Sequence, residues 1–145
     1  MTSEGQVSAK DTPRLEDYLE AIYQLIDEKG YASSVDVADR LSVKPPTVTS
    51  MVKKLAKLGY VVYEPYRGMR LTETGERLAK SVVSRHHVIA EFLSMIGVGK
   101  RVAYQDTEGI EHHIQPATFR RIERLVEFLR NNPDYLKTVR EYVDK

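Results

Sequence analysis

The adjacent pair Pro45-Pro46 constrains the fold of this 145-residue chain more than any other local feature. Two consecutive prolines fit a helix only in its first turn, where the backbone N–H groups have no partner within the helix. Apolar residues recur at helical spacing on both sides of the pair, over residues 35–41 before it and 48–58 after it. Ser34 is the predicted N-cap of the first helix, and the tight turn 42–44 joins it to the second. The segment therefore predicts a helix-turn-helix.

A β-hairpin is predicted directly after the helix-turn-helix. Residues 60–64 are rich in β-branched and aromatic side chains, and the turn 65–68 contains Pro and Gly. Residues 69–72 form the returning strand of this predicted hairpin. A hairpin in this position is a wing, so the two elements together predict a winged helix-turn-helix.

Helical periodicity governs the remainder of the chain. Before the helix-turn-helix, Pro13 suits the first turn of a helix that ends at Gly30. After the hairpin, Thr72 is predicted to cap a long helix that Gly97 closes. The apolar faces of the following helices exceed what one small domain needs, which indicates a homodimer. These last helices are predicted over about 100–114, from Pro116 to about 130, and from about 134 to Val143.

The formal net charge of +1 conceals an uneven distribution of charge. Residues 1–39 carry three basic and nine acidic side chains, whereas residues 40–70 carry seven basic side chains and one acidic side chain, that of Glu64. The remaining residues, 71–145, are nearly balanced, with twelve basic and eleven acidic side chains. A basic block within a neutral chain is typical of an element that binds nucleic acid, although a solvated lysine-rich helix face would carry the same charge.

The position of the basic block in the helix-turn-helix favours double-stranded DNA as its partner. In this motif the first turns of the second helix face the base edges in the major groove, and later lysines contact phosphates. A winged helix used for protein contacts is the alternative. The predicted DNA-binding residues are Lys44, Pro46, Thr47, Thr49, Ser50, Lys53, Lys54, Lys57 and, at the tip of the wing, Arg67.

The predicted fold class is therefore mainly α, with an N-terminal winged helix-turn-helix domain followed by an all-helical dimerisation domain. The predicted segments are a disordered lead-in (1–12), the DNA-binding domain (13–72), a linking helix (73–97) and a helical metal-binding and dimerisation domain (98–145). The sequence has no apolar run long enough to span a bilayer and no signal-peptide pattern, so we expect a cytoplasmic protein with no membrane partner.

The string from Asp106 to His113 is the most unusual local pattern in the chain. On a helix Glu108, Glu111 and His112 stand at positions i, i+3 and i+4, so their side chains share one face. Such crowding favours a bound cation, but a solvated acidic helix face explains the same pattern equally well.

Three further residues extend the set of potential metal ligands. His86 lies among apolar residues of the long helix, where a hydrogen-bonded core histidine is the simpler explanation. Asp17 and Glu20 lie three residues apart in the first helix, where acidic residues also complement the helix dipole. Together the candidates offer four carboxylates and two imidazoles, and the chain contains no Cys. That donor set suits a hard or borderline divalent ion such as Mn²⁺ and is large enough for two ions.

Enzymatic function is not predicted. The His-Glu-x-x-His motif of zinc proteases is absent, and the chain has no second Glu-x-x-His pair, nucleophile triad or phosphate-binding glycine loop. A small metalloenzyme is one alternative, and a winged-helix regulator that responds to a small organic ligand is another.

The order of these parts resembles the diphtheria-toxin-repressor family, and most closely its manganese branch. The similarity runs from Pro13 to about Leu129, through strings such as Leu-Glu-Asp-Tyr-Leu-Glu at 15–20, Tyr-Arg-Gly at 66–68 and Glu-Gly-Ile-Glu-His-His at 108–113.

The resemblance implies a manganese-responsive transcriptional repressor of manganese uptake genes. Two Mn²⁺ ions per subunit would act as corepressor between the two domains and fix the DNA-binding domains of a homodimer for operator binding, without an organic cofactor. Asp17 replaces a Met of the iron-sensing branch, which fits a preference for Mn²⁺, and His113 has no ligand role. The implied metal ligands are Asp17, Glu20, His86, Glu108, Glu111 and His112.

Overall fold

The computed structural model describes residues 13–64 and 66–145. The predicted lead-in 1–12 and one residue of the predicted wing turn lie outside the described residues. The chain divides into two compact units after Val82, and the second unit is Val83–Lys145. The elements, in chain order, are α1 (Leu15–Lys29), α2 (Ser34–Leu41), α3 (Pro45–Lys57), β1 (Val61–Glu64), β2 (Gly68–Leu71), α4 (Glu73–Met95), α5 (Lys100–Ile110), α6 (Pro116–Asn131) and α7 (Pro133–Val143). The predicted mainly α fold class with a small wing is confirmed.

The ends of the first helices depend on local capping chemistry. Arg14 is the N-cap of α1, so Pro13 precedes the helix rather than occupying its first turn, and this prediction was wrong by two residues. The C-cap Gly30 has a φ of 85°, which a residue without a Cβ adopts at low cost. The Ser33 hydroxyl accepts a hydrogen bond from the backbone N–H of Asp36 at 3.1 Å. Ser33 therefore caps α2, and the predicted N-cap Ser34 is its first helical residue.

The hairpin is anchored to the loop between α1 and α2. Strands β1 and β2 pair antiparallel, with Val61 opposite Leu71 at the base of the wing. The backbone N–H of Met69 donates a hydrogen bond to the Ala32 carbonyl at 2.9 Å. A Cβ at Gly68 would collide with that same carbonyl, so only glycine allows this close approach. The hydrogen bond holds the wing against the loop before α2, and the absence of a Cβ at Gly68 allows the two backbones to approach closely enough to form it.

The core of the first unit holds the helix-turn-helix together. Apolar side chains from α1, α2, α3, both strands and the start of α4 pack into one cluster and leave the polar side of α3 in solvent. The fully buried members with the largest side chains are Tyr18, Leu19, Ile22, Val37, Val48 and Leu55.

The second unit has a smaller buried cluster, formed by Ile89, Leu93 and Ala103. Arg130 of α6 donates two hydrogen bonds to Glu91 of α4, the Nε bond at 2.9 Å, which ties these helices together. Helix α5 ends at Ile110 and residues 111–113 form a turn, so the predicted helix to about residue 114 is too long. None of the helices in the described part of the chain is both long and apolar enough to cross a membrane.

Candidate metal centre and nucleic-acid interface

The predicted DNA-binding residues lie on the solvent side of the first unit. All nine of them are exposed, and eight belong to α3 or to its N-cap. The Thr49 hydroxyl donates a hydrogen bond to the Pro45 carbonyl at 3.2 Å, within the same helix. A shallow groove of about 430 Å³ runs along this face, lined by Pro46, Thr47, Ser50, Met51 and Lys54. The first turns of α3 thus expose short polar side chains to solvent.

Ion pairing divides the basic block into two groups. Arg40 pairs with Glu28 at 2.7 Å, and Arg70 pairs with Glu64 at 2.9 Å. The Arg40 guanidinium lowers the pKa of the Glu28 carboxyl, chiefly through their hydrogen bond. Among the described residues, no acidic side chain forms an ion pair with the other five basic residues of the block. These five, Lys44, Lys53, Lys54, Lys57 and Arg67, are the cations that were predicted to bind DNA.

Four of the six predicted metal ligands come together in the second unit. His86 projects from α4, Glu108 from the last turn of α5, and Glu111 and His112 from the residues just after it. Nδ1 of His86 lies 2.8 Å from Oε2 of Glu111 and 3.3 Å from Oε1 of Glu108. Nε2 of His112 lies 3.2 Å from Oε1 of Glu111. The cluster therefore places the Glu111 carboxylate between two imidazoles.

Glu111 is the central residue of this cluster. Its side chain is fully buried, which contradicts the alternative of a solvated acidic face at this position. Burial by itself raises the pKa of the Glu111 carboxyl, but the two neighbouring imidazoles, of His112 and His86, outweigh it, so the pKa is lowered. Glu111 also caps the C-terminus of α5, where the helix dipole disfavours negative charge. A buried anion at this helix end needs a cationic partner.

The donor set fits a divalent cation. The Oε1 atom of Glu111 is buried and accepts no hydrogen bond from any described residue, although Nε2 of His112 lies 3.2 Å from it. A buried carboxylate oxygen without a donor is uncommon, and a bound cation would satisfy it. Carboxylate oxygens and imidazole nitrogens are the ligands that Mn²⁺ and similar ions accept.

The other two predicted ligands lie on α1, in the first unit. Asp17 Oδ2 accepts a hydrogen bond from the backbone N–H of Arg14 at 2.7 Å, so this carboxylate caps the helix. Oε1 of Glu20 accepts a longer bond of 3.4 Å from the Gln24 side chain. The alternative to a ligand role was that acidic residues stabilise the first turns of α1. This alternative applies to Asp17. Capping occupies one oxygen of a carboxylate and is compatible with a ligand role for the other.

Tyr104 is a residue of the cluster that the sequence prediction missed. Its ring meets the His86 imidazole edge-on, with 6.2 Å between the ring centroids. Tyr104 precedes Glu108 by four residues, so helical spacing alone could have placed it on the same face of α5. His113, which follows the cluster, is exposed.

Comparison with known proteins gives a family for both units. Residues 11–69 match the family described as "Iron dependent repressor, N-terminal DNA binding domain". Residues 72–139 match "Iron dependent repressor, metal binding and dimerisation domain".

Individual relatives agree with these matches. The HTH-type transcriptional regulator MntR of Lysinibacillus sphaericus (strain C3-41) is 52% identical over 126 residues, which cover 87% of this chain and 91% of that protein. The regulator of the same name from Listeria innocua serovar 6a (strain ATCC BAA-680 / CLIP 11262) is 49% identical over 130 residues, or 90% of this chain and 92% of that protein.

A solved structure described as the manganese regulator SloR is 30% identical, with a TM-score of 0.72. The match covers 81% of this chain and 55% of SloR, so the chain spans about half the length of that structure. The resemblance to the diphtheria-toxin-repressor family is confirmed, and so is the prediction of a regulator rather than an enzyme. The chain belongs to the iron-dependent repressor family of transcription regulators, which combine an N-terminal DNA-binding domain with a metal-binding and dimerisation domain.

Proposed function

We propose that this protein is a manganese-responsive transcriptional repressor in which Mn²⁺ is the corepressor. The observation that carries the proposal is the cluster around Glu111, a buried carboxylate held between the imidazoles of His86 and His112. Such a cluster has the donors of a metal site, and it belongs to a chain whose family couples metal binding to DNA binding. A regulator of this kind acts on DNA in the cytoplasm.

The choice of Mn²⁺ rests on the chemistry of the ligands. The chain offers carboxylates and imidazoles and has no Cys, which disfavours the soft ions that prefer thiolates. Asp17 adds a hard oxygen donor where the resemblance implies a thioether in iron sensors. The solved relative SloR is described as a manganese regulator, which supports the same ion.

The proposed ligand set comprises six residues and holds two ions per subunit. Bound Mn²⁺ supplies positive charge that neutralises the carboxylates, which otherwise repel one another. Metal held by ligands from both domains would restrict the motion of the DNA-binding domain. The proposed ligands are Asp17 and Glu20 from α1, His86 from α4, and Glu108, Glu111 and His112 from α5 and the turn after it.

On the DNA side, the exposed face of α3 is proposed to enter the major groove. The hydroxyls of Thr47, Thr49 and Ser50 and the ring of Pro46 would contact base edges. The five basic residues that form no ion pair with a described acidic residue would contact phosphates. A homodimer would present two such helices at a fixed spacing to a palindromic operator, with manganese uptake genes as the proposed targets.

The experiment that tests this function compares DNA binding with and without metal. A duplex is first enriched from a random-sequence library by the full-length protein in MnCl₂. Its affinity is then measured by fluorescence anisotropy in MnCl₂ and in a chelator, at one fixed ionic strength because phosphate contacts depend on salt. We expect binding at least about tenfold tighter with Mn²⁺, a coupling of about 1.4 kcal/mol. Equal affinity in the two conditions would refute the corepressor role.

A further inference from the structure

Tyr66, at the tip of the wing, has a backbone conformation that tyrosine seldom adopts. The backbone N–H of Arg67, the next residue, donates a hydrogen bond to the Glu64 carbonyl at 3.1 Å. The φ of Tyr66 is 68°. A positive φ favours Gly or Asn, because a Cβ crowds the neighbouring carbonyl. Among the described residues, Ser42 is the only other non-glycine with a positive φ.

Packing within the fold does not explain why tyrosine occupies this position. The Tyr66 side chain is fully exposed, with a relative accessibility of 106%. The other described residue of this hairpin with a positive φ is Gly68, and glycine adopts such a φ at low cost. Strained backbone conformations cluster at functional sites. A contact with a molecule outside the chain would account for a tyrosine at this exposed position.

The surroundings of Tyr66 indicate what it contacts. Arg67 is exposed beside it and forms no ion pair with any described acidic residue, so the tip of the wing is positively charged. The charge of Arg70 is already balanced by Glu64. A phenol next to this guanidinium suits a phosphate oxygen, because tyrosine hydroxyls commonly donate hydrogen bonds to the DNA backbone.

We infer that Tyr66 is a DNA-contacting residue whose hydroxyl donates a hydrogen bond to a phosphate beside the site that α3 reads. The inference rests on the proposed function, since it requires the metal-loaded protein to bind DNA. This contact adds affinity for DNA but does not distinguish one base sequence from another. The backbone conformation of Tyr66 holds the hydroxyl toward solvent before DNA binds.

Two variants of Tyr66 test the inference in the full-length, Mn²⁺-loaded protein on the enriched duplex. Tyr66→Phe removes the hydroxyl and should weaken binding at least about tenfold, the lower end of what a hydrogen bond to a charged group contributes. Because a neutral donor displaces no counterions, the slope of log affinity against log salt should stay unchanged. Arg67→Ala, by comparison, should lower that slope by about one. Tyr66→Gly should bind as weakly as Tyr66→Phe but unfold at the same temperature as the wild type or higher, because it relieves the strain.

The control is Tyr142→Phe in α7, which removes the hydroxyl of another exposed tyrosine far along the chain from the wing and should bind like the wild type. Wild-type affinity in Tyr66→Phe would overturn the inference. A melting temperature of Tyr66→Gly well below that of the wild type would also overturn it, since the ring would then support the fold. If the wild type itself shows no Mn²⁺-dependent binding, the proposed function fails first, and the two failures are thereby distinguished.

Discussion

Replacing Glu111 by Gln perturbs the proposed metal centre at its most buried ligand. The amide keeps the size of the side chain but removes the negative charge that lies 2.8 Å from His86 and 3.2 Å from His112. A buried interaction between charged groups contributes about 2–3 kcal/mol when its loss leaves the partner in place. The Mn²⁺ dissociation constant should therefore rise roughly 30- to 150-fold.

Thermal unfolding with and without MnCl₂ measures this loss. At a metal concentration about 100 times the wild-type dissociation constant, binding stabilises the wild type by about 2.7 kcal/mol. At the same concentration the Glu111→Gln variant should gain less than about 1 kcal/mol. The difference of about 2 kcal/mol corresponds to roughly 4–8 °C in melting temperature.

The matched control is Asp106→Asn, which removes one carboxylate from the same acidic string on α5. Asp106 is exposed and is not a proposed ligand, so its variant should keep the full Mn²⁺-induced shift. If Mn²⁺ raises the melting temperatures of the wild type and Glu111→Gln equally, Glu111 is not the central ligand of the site.

Three further predictions concern metal choice, the wing and the second unit. Asp17→Met should raise the affinity for Fe²⁺ relative to Mn²⁺ in calorimetry, and Fe²⁺ should become the better activator of DNA binding. An unchanged order of metals would show that Asp17 does not determine metal selectivity. Gly68→Ala should lower the free energy of urea unfolding by about 2 kcal/mol more than Gly59→Ala, because both glycines have positive φ but only Gly68 abuts a backbone carbonyl; equal losses would contradict this. Glu91→Gln should cost less than about 1 kcal/mol, because its ion pair with Arg130 is partly exposed. The hydrogen bond from Arg130 lowers the pKa of Glu91, so the stabilisation is present above the ordinary value of 4.5 and is lost as pH falls through the lowered pKa. The melting difference between Glu91→Gln and the wild type should accordingly disappear in acid, and a constant difference would argue against the ion pair.

The helix-turn-helix and wing could be predicted because their signals are local. Pro45-Pro46 specifies the first turn of α3 whatever surrounds it, and Gly30 and Thr72 mark helix ends through their own backbone or hydroxyl chemistry. Errors at such ends were small. Ser33 rather than Ser34 caps α2, because two consecutive serines offer the same hydroxyl and only the backbone conformation chooses between them.

The candidate metal cluster was predictable in its residues but not in its geometry. Periodicity placed Glu108, Glu111 and His112 on one helical face, whereas α5 ends at Ile110, inside this string. The burial of Glu111 distinguishes it from a solvated acidic residue. Burial depends on tertiary packing, which the spacing of residues in the sequence does not reveal.

The same limit applies to the basic block. Residues 40–70 contain seven basic side chains. One of them, Arg40, forms an ion pair with Glu28, twelve residues earlier in the chain. The pairing requires α1 and α2 to pack side by side, which no local pattern specifies. The five cations predicted to bind DNA did not include Arg40, but its ion pair, which gives the physical reason for leaving it out, appears only in the folded chain.

The most direct test of the central claim, that metal binding and DNA binding are coupled, is the Mn²⁺ affinity of the protein with and without the enriched duplex. Coupling between two sites is reciprocal, so DNA must tighten Mn²⁺ binding by the same factor by which Mn²⁺ tightens DNA binding. Isothermal titration of MnCl₂ into the free protein and into the protein–DNA complex measures this factor. We predict tightening of about tenfold or more in the complex, in agreement with the anisotropy measurement. An Mn²⁺ affinity that DNA leaves unchanged would contradict the account.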